Sequence, residues 1–303
     1  MRNVSRGFAA VVCGLLCAGL AQAQQRLEPP DPALPAAGNP LIREGDLHYA
    51  RRQDMRVGAV AGKSEIAAAV RAFSTATEAA DSPEARWKLA RALVFQGLYT
   101  ELDASARQSV FEKARRAAED AIGILERRVK RGGHQGFEAL STAEIALAVR
   151  KGPDAAPIFY WAAVAWGRWA LARGKEEATK LGAAEKIRDY ASILVTLDPI
   201  FEDGGGYRLL GRLHDEASQM EIEPEWASHE EAVRNLRLAV KTDAANFANR
   251  LFLAEALAPG APAERAEAVR IAQGLVAESP SPARLVEELR LQEEAAGDLR
   301  AWK

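Results

Sequence analysis

The residues with the most chemical potential crowd into one stretch: Phe159-Tyr160-Trp161, then Trp166 and Trp169, with Arg168 and Arg173 interleaved. Trp166 and Trp169 stand about one helical turn apart, and Phe159 stands about two turns before Trp166. Large rings supply contact area and an arginine fixes an anionic group, so the pattern suits a cavity for a mostly apolar organic acid. It equally suits a helix buried on all sides, and residue types alone leave both readings open. A second cation, Arg208, follows Gly204-Gly205-Gly206-Tyr207 and is able to reach a carboxylate or phosphate. The glycine run itself reads as a tight turn with close backbone packing, in preference to an anion cradle at a helix start. The candidate ligand-binding set is therefore Tyr160, Trp161, Trp166, Trp169 and Arg208.

Little else in the chain points to reaction chemistry. Gly58-Ala-Val-Ala-Gly62-Lys63-Ser64 has the outline of a phosphate loop but is one residue short. Four residues are needed between the glycines for successive N–H groups to wrap a phosphate. It reads as a turn, with Ser64 as the cap of the next helix. The histidines are His48, His134, His214 and His229, and no pair has metal-ligand spacing. There is no Gly-x-Ser-x-Gly, and both cysteines, Cys13 and Cys17, lie near the N-terminus. Without a nucleophile–base pair, the expectation is a binding protein with no catalytic residues, metal or cofactor.

The first 23 residues read as a cleaved signal peptide: Arg2 and Arg6, an apolar run from Phe8 to Leu20, then Ala21-Gln22-Ala23. Leu16 and Val12 precede the cysteines where a lipoprotein site wants a small residue, so cleavage before Gln24 is expected over lipidation. The mature chain then has no thiol, no disulfide and no membrane span, and is exported. It also has two fewer basic residues than the 40 of the full chain, against 42 acidic ones. That near-balance argues against nucleic acid as a partner.

Residues 24–44 are proline-dense and read as a disordered leader, leaving 45–303 as one helical domain. Alanine, leucine and arginine dominate it, and no alternating segment forces a strand. Helices are expected over Asp46–Gln53, Ser64–Ala80, Glu84–Leu98, Asp103–Arg131, Ser141–Val149, Pro157–Arg173 and Leu181–Leu197. Others are expected from the triple glycine to Ala217, then over Glu225–Lys241, Phe247–Leu257, Pro262–Glu278 and Ala283–Leu299. One spacing recurs in four of them: Ala69, Phe73, Ala76; Ile187, Ala191, Leu194; Ala232, Leu236, Ala239; Ala268, Ala272, Leu275. Each triad is closed five residues later by Asp81, Pro199, Ala244 or Pro280. This is the second-helix half of a tetratricopeptide repeat, and Tyr207, Leu210, Gly211 and His214 have the first-helix spacing. The fold class expected is all-α, a tetratricopeptide-like solenoid with a capping C-terminal helix. Tyr207, Leu210, Gly211 and His214 should face Ala232, Leu236 and Ala239.

Several segments together resemble one family, the T component of tetratricopeptide-repeat-associated TRAP transporters (the TatT family). They are Glu84-Ala-Arg-Trp87-Lys-Leu-Ala-Arg91, Phe159-Tyr160-Trp161 with Gly167 and Trp169, Leu197-Asp198-Pro199, and Gly204 through Arg212. Leu253–Leu257 and Glu287–Ala295 resemble its close. The resemblance implies a periplasmic accessory protein that binds a TRAP substrate-binding protein, forms a homo-trimer and hands on a small hydrophobic organic ligand. His214 stands where an aromatic residue is usual, and Ala244 where a proline is usual. The alternative is a general periplasmic scaffold for envelope protein assembly.

Overall fold

The computed structural model describes residues 39–218 and 225–302, so the expected signal peptide and most of the expected leader lie outside the described residues. These residues form thirteen α-helices and no strand. They are α1 (Pro40–Ala50), α2 (Lys63–Ala79), α3 (Pro83–Tyr99), α4 (Ala104–Arg131), α5 (Thr142–Val149), α6 (Ala155–Arg173) and α7 (Lys175–Lys180). Then come α8 (Ala183–Leu197), α9 (Phe201–Ser218), α10 (His229–Thr242), α11 (Phe247–Leu257), α12 (Pro262–Ala277) and α13 (Leu285–Ala301).

Local signals explain the starts. Asn39, Ser82, Asp103, Ser141, Ser228 and Asn246 each accept a bond from an early helical N–H, leaving fewer orphan donors in the first turn. Asn39 with Pro40 at the first helical position starts α1 inside the stretch read as leader. Ser64 is not the cap of α2: Gly62 takes that place without a side-chain bond, and Ser64 is already helical. The short α7 was not expected. It is set apart by Gly174 and Gly182, both at positive φ, which break the helix before Leu197's segment begins. Helix α10 starts at Ser228 and not at Glu225, because Trp226 instead packs edge-on against His214, 5.4 Å between ring centres.

Successive helices pack on each other, with α5 and α7 as side elements. A second relation joins alternate helices: α3 touches α6, α6 touches α9, α9 touches α11, and α11 touches α13. The triads Ala69/Phe73/Ala76, Ala232/Leu236/Ala239 and Ala268/Ala272/Leu275 are wholly buried, as are Ala191 and Leu194, with Ile187 nearly so. Three glycines on the partner helices meet a large side chain at near-contact. A Cβ on Gly45 would lie 2.4 Å from the Phe73 ring, on Gly97 2.4 Å from Phe111, and on Gly211 2.5 Å from Leu236. Only a residue with no side chain lets these helices approach so closely.

The ends of the row meet. Arg52 in the turn after α1 reaches Glu287 of α13 through Nε (3.1 Å) and Nη2 (2.8 Å). Gln53 donates to the Pro282 and Ala283 carbonyls and accepts from Val286 N–H. Val286 is wholly buried in the same apolar cluster as Ile42, Phe73 and Phe159. The last apolar half of α13, with Leu291, Ala295, Leu299 and Trp302, covers Phe247, Leu251 and Leu275.

Candidate ligand-binding site

The two parts of the candidate set lie on different faces of α6. Tyr160 and Arg208 meet: Arg208 Nη2 donates to the Tyr160 hydroxyl at 3.0 Å, and Nη1 donates to Asn249 Oδ1 at 2.6 Å. Both Arg208 nitrogens also donate to the Glu202 carbonyl at 3.2 Å. Asn249 Nδ2 in turn donates to the Asp203, Ala239 and Asp243 carbonyls. Trp161 is half-buried and stands edge-on to Tyr160, 5.0 Å between centres. This network grips a sharp turn in which Glu202, Asp203 and Gly204 all have positive φ, at 49°, 59° and 82°. A Cβ on Gly205 would lie 2.6 Å from the Tyr160 ring and one on Gly206 2.8 Å from Val195, so the glycine run packs against side chains.

Trp166 and Trp169 face α4 and α8, away from Arg208. Each is 2% exposed, and they cross edge-on at 5.3 Å. Arg115 lies over both rings, at 4.8 and 5.1 Å, and Lys186 over Trp166 at 5.2 Å. The Glu119 carboxylate accepts from Trp166 Nε1 and from the Tyr190 hydroxyl. Trp169 Nε1 has no hydrogen-bond partner of good geometry, although the Glu112 carboxylate is close enough to be stabilised by it. Burial pushes Glu112 up, but the bonds from Arg115 and Arg116 outweigh it and bring it down to about 2. The cations beside these rings are therefore Arg115 and Lys186, not the Arg168 or Arg173 adjacent in sequence.

The turn 57–62 has no free amide fan. Val57 and Val60 exchange backbone bonds, Ala61 N–H donates to the Tyr99 carbonyl, and Gly62 N–H to that of Asp54. His214 is buried, takes a long 3.4 Å bond from Ser228 N–H at Nδ1, and is pushed below its ordinary pKa by burial. Among the described residues no group of three or more His, Cys, Asp or Glu is placed to hold a metal ion. Nor, among them, is any helix long and apolar enough to cross a membrane.

The end of α1, the turn after it and α3 share a polar–aromatic cluster that the residue-type reading missed. Arg91 lies between Tyr49 (3.9 Å) and Trp87 (5.0 Å), and Arg52 between Tyr49 (4.8 Å) and Phe95 (5.3 Å). Phe95 then meets Tyr99 at 5.0 Å. The signal was present as Trp87, Arg91, Phe95 and Tyr99, four residues apart along one stripe of α3. Tyr49 and Tyr99 are surrounded by protein, which raises both phenols above their ordinary value, yet both remain touched by solvent.

A second charged and aromatic cluster lies on α9 and α11, at Arg212 and Glu255. They form an ion pair, and Arg212 also lies over Phe252 at 4.9 Å. Burial pushes Glu255 up to about 7, and Asp298 and Glu294 add to the rise, while Arg212 offsets only part of it. Arg212 is shared with Glu216 and Asp215, so its charge is divided. A carboxyl whose folded pKa exceeds its unfolded 4.5 binds more protons when folded, so its contribution to stability falls as pH rises from about 4.5 to about 7. Glu255→Gln should flatten the stability–pH curve in that window. Urea denaturation at closely spaced pH values checks it, and two parallel curves would refute the assignment.

No family model matches the chain, and no curated protein matches it.

Proposed function

We propose that the protein is a non-enzymatic periplasmic accessory component of a TRAP-type solute uptake system, a T component that binds the substrate-binding protein and an organic acid. The observation that carries this reading is where the segments of the resemblance meet. Gly205 and Arg208 of the glycine–arginine segment close on Tyr160 of the aromatic helix, and Trp87 Nε1 donates to Asp154, at the start of that same helix, at 3.2 Å. Residue types that are costly to bury are thus concentrated where the alternate helices touch. We further read the helix pairs as degenerate tetratricopeptide repeats. Four buried triads of one spacing, and glycines pressed against Phe73, Phe111 and Leu236, support that reading. Export as a mature chain beginning at Gln24, and assembly as a homo-trimer, belong to the same proposal.

The decisive experiment purifies the protein from its native envelope, reads its N-terminus by mass spectrometry, and titrates it calorimetrically with the TRAP substrate-binding proteins of the same cell. Saturable binding to one of them is expected, with an unmodified Gln24 start. Failure to bind any, with envelope-assembly factors retained instead, would favour the general scaffold.

A further inference from the structure

The turn between α1 and α2 presents apolar side chains to solvent where nothing in the fold requires it. Met55 is 83% exposed and Val57 81%, more than any other large apolar side chain among the described residues, and Val60 is 40% exposed. A single exposed hydrophobe needs no explanation, but three within six positions form a patch. Ala59 and Ala61 of the same turn are buried and anchor it to the body of the protein.

Backbone bonds fix the shape of this turn. Val57 N–H donates to the Val60 carbonyl at 2.8 Å, and Val60 N–H to that of Val57 at 3.1 Å. Ala61 N–H donates to the Tyr99 carbonyl of α3 at 2.7 Å, and Gly62 N–H to that of Asp54 at 3.2 Å. The two ends close on each other, since a Cβ on Gly62 would lie 2.8 Å from Met55 Cβ. At the tip Gly58 has φ 58°, and a Cβ there would meet nothing within 4 Å, so the tip projects.

Met55 breaks a local rule. It sits at φ 56°, a left-handed conformation that suits glycine, asparagine or aspartate and strains a long side chain. An apolar side chain that is both strained and exposed gains nothing from the fold, which points to a contact outside it.

Charge and hydrogen bonding indicate the kind of contact. Residues 51–63 carry Arg51, Arg52, Arg56 and Lys63 against Asp54 alone. Arg52 is engaged by Glu287, and Arg51 pairs with Glu65 while staying 57% exposed. Arg56 and Lys63 are exposed on either side of the two valines. The whole chain is near neutral, so this basic collar acts only close to the tip. An apolar tip in a basic collar matches the interface of an anionic bilayer, where apolar side chains enter the acyl boundary and cations meet phosphates. A backbone entering that layer must satisfy its own polar groups, and the Val57–Val60 exchange does so. A protein partner would need a pocket shaped to the tip, whereas a bilayer receives it without one.

We propose that the 55–60 turn is a docking wedge for anionic phospholipid membranes: Met55, Val57 and Val60 enter the bilayer interface, and Arg56 and Lys63 engage its headgroups. The contact is shallow and reversible, and it spans nothing. It is independent of any solute or transporter partner.

The test is flotation of the full mature protein beginning at Gln24, which carries neither signal peptide nor lipid. The vesicles are phosphatidylcholine with about one-third phosphatidylglycerol, beside phosphatidylcholine alone. The protein is expected to float with the anionic vesicles at low salt, and about threefold less or worse with the neutral ones or at high salt. Met55→Asn combined with Val57→Ser should lower the bound fraction about tenfold. Arg56→Gln combined with Lys63→Gln should abolish the preference for anionic lipid. Thermal melts of both double variants should match the parent, because these side chains lie in solvent and asparagine suits the left-handed position. Absence of flotation at millimolar lipid, equal binding to both vesicle types, or a Met55/Val57 variant that floats like the parent overturns the proposal. A parent that ignores vesicles but self-associates in sedimentation, with the Met55/Val57 variant monomeric, overturns it in favour of a protein interface.

Discussion

Arg208→Ala should destabilise the protein by about 2–5 kcal/mol, because each buried polar atom left without a partner costs about 1–3 kcal/mol. Two such atoms would be orphaned, Asn249 Oδ1 and the Tyr160 hydroxyl, and the Glu202 carbonyl would lose both of its guanidinium donors. The loss spreads, because Asn249 and Arg208 together hold the left-handed turn from Glu202 to Gly204. Arg208→Lys should rescue little, since one ammonium cannot reproduce the planar fork that reaches three acceptors. Tyr160→Phe, which removes a single bond, should cost about 1–2 kcal/mol. Chemical denaturation of the three variants checks the order. If Arg208→Ala melts with the parent, the network is not formed in solution.

That arginine shows what the sequence discloses and what it withholds. Arg208 was legible as a cation of interest because it follows three glycines, but its partner Asn249 is 41 positions away and carries no local mark. Helix existence was legible nearly everywhere, since capping residues and apolar periodicity are local. Boundaries slipped where one residue had two readings. Asn39-Pro40 looks like the end of a proline-rich leader and is in fact a cap with proline at the first helical position. Ser64 looks like a cap, yet the chain is drawn into helix two residues earlier because Gly62 closes on the Asp54 carbonyl.

The candidate site was harder to read for a related reason. Five aromatic residues in a row of eleven look like one cluster, but a helix turns them to different neighbours. Trp166 and Trp169 meet Arg115 of α4, and Tyr160 meets Arg208 of α9. Which arginine serves which ring is decided by helix packing, and adjacency in sequence misled on it. The contact of Arg52 with Glu287 is further still beyond reach, because it joins the two ends of the described chain. Nothing short of the whole packing order brings them together.

Gly211→Leu should overpack the contact between α9 and α10 and cost about 1–3 kcal/mol. A Cβ at this position would lie 2.5 Å from Leu236 Cγ and 3.0 Å from the Ala232 carbonyl oxygen. Leu236 is wholly buried in a close-packed protein interior, and a backbone carbonyl in a helix yields less than a side chain. Even Gly211→Ala should therefore destabilise, although alanine is the better helix former by about 1 kcal/mol. Gly274 of α12 supplies the contrast, because a Cβ there meets nothing within 4 Å. Gly274→Ala should be neutral or stabilising, by the full propensity gain at most. The pair separates helix propensity from packing, since both substitutions are the same change within a helix. Thermal melts that rise for Gly274→Ala and fall for Gly211→Ala and Gly211→Leu would establish close approach as the reason for glycine. A Gly211→Leu protein as stable as its parent would mean that α9 and α10 do not meet along this line, and the buried triad Ala232, Leu236, Ala239 would need another partner.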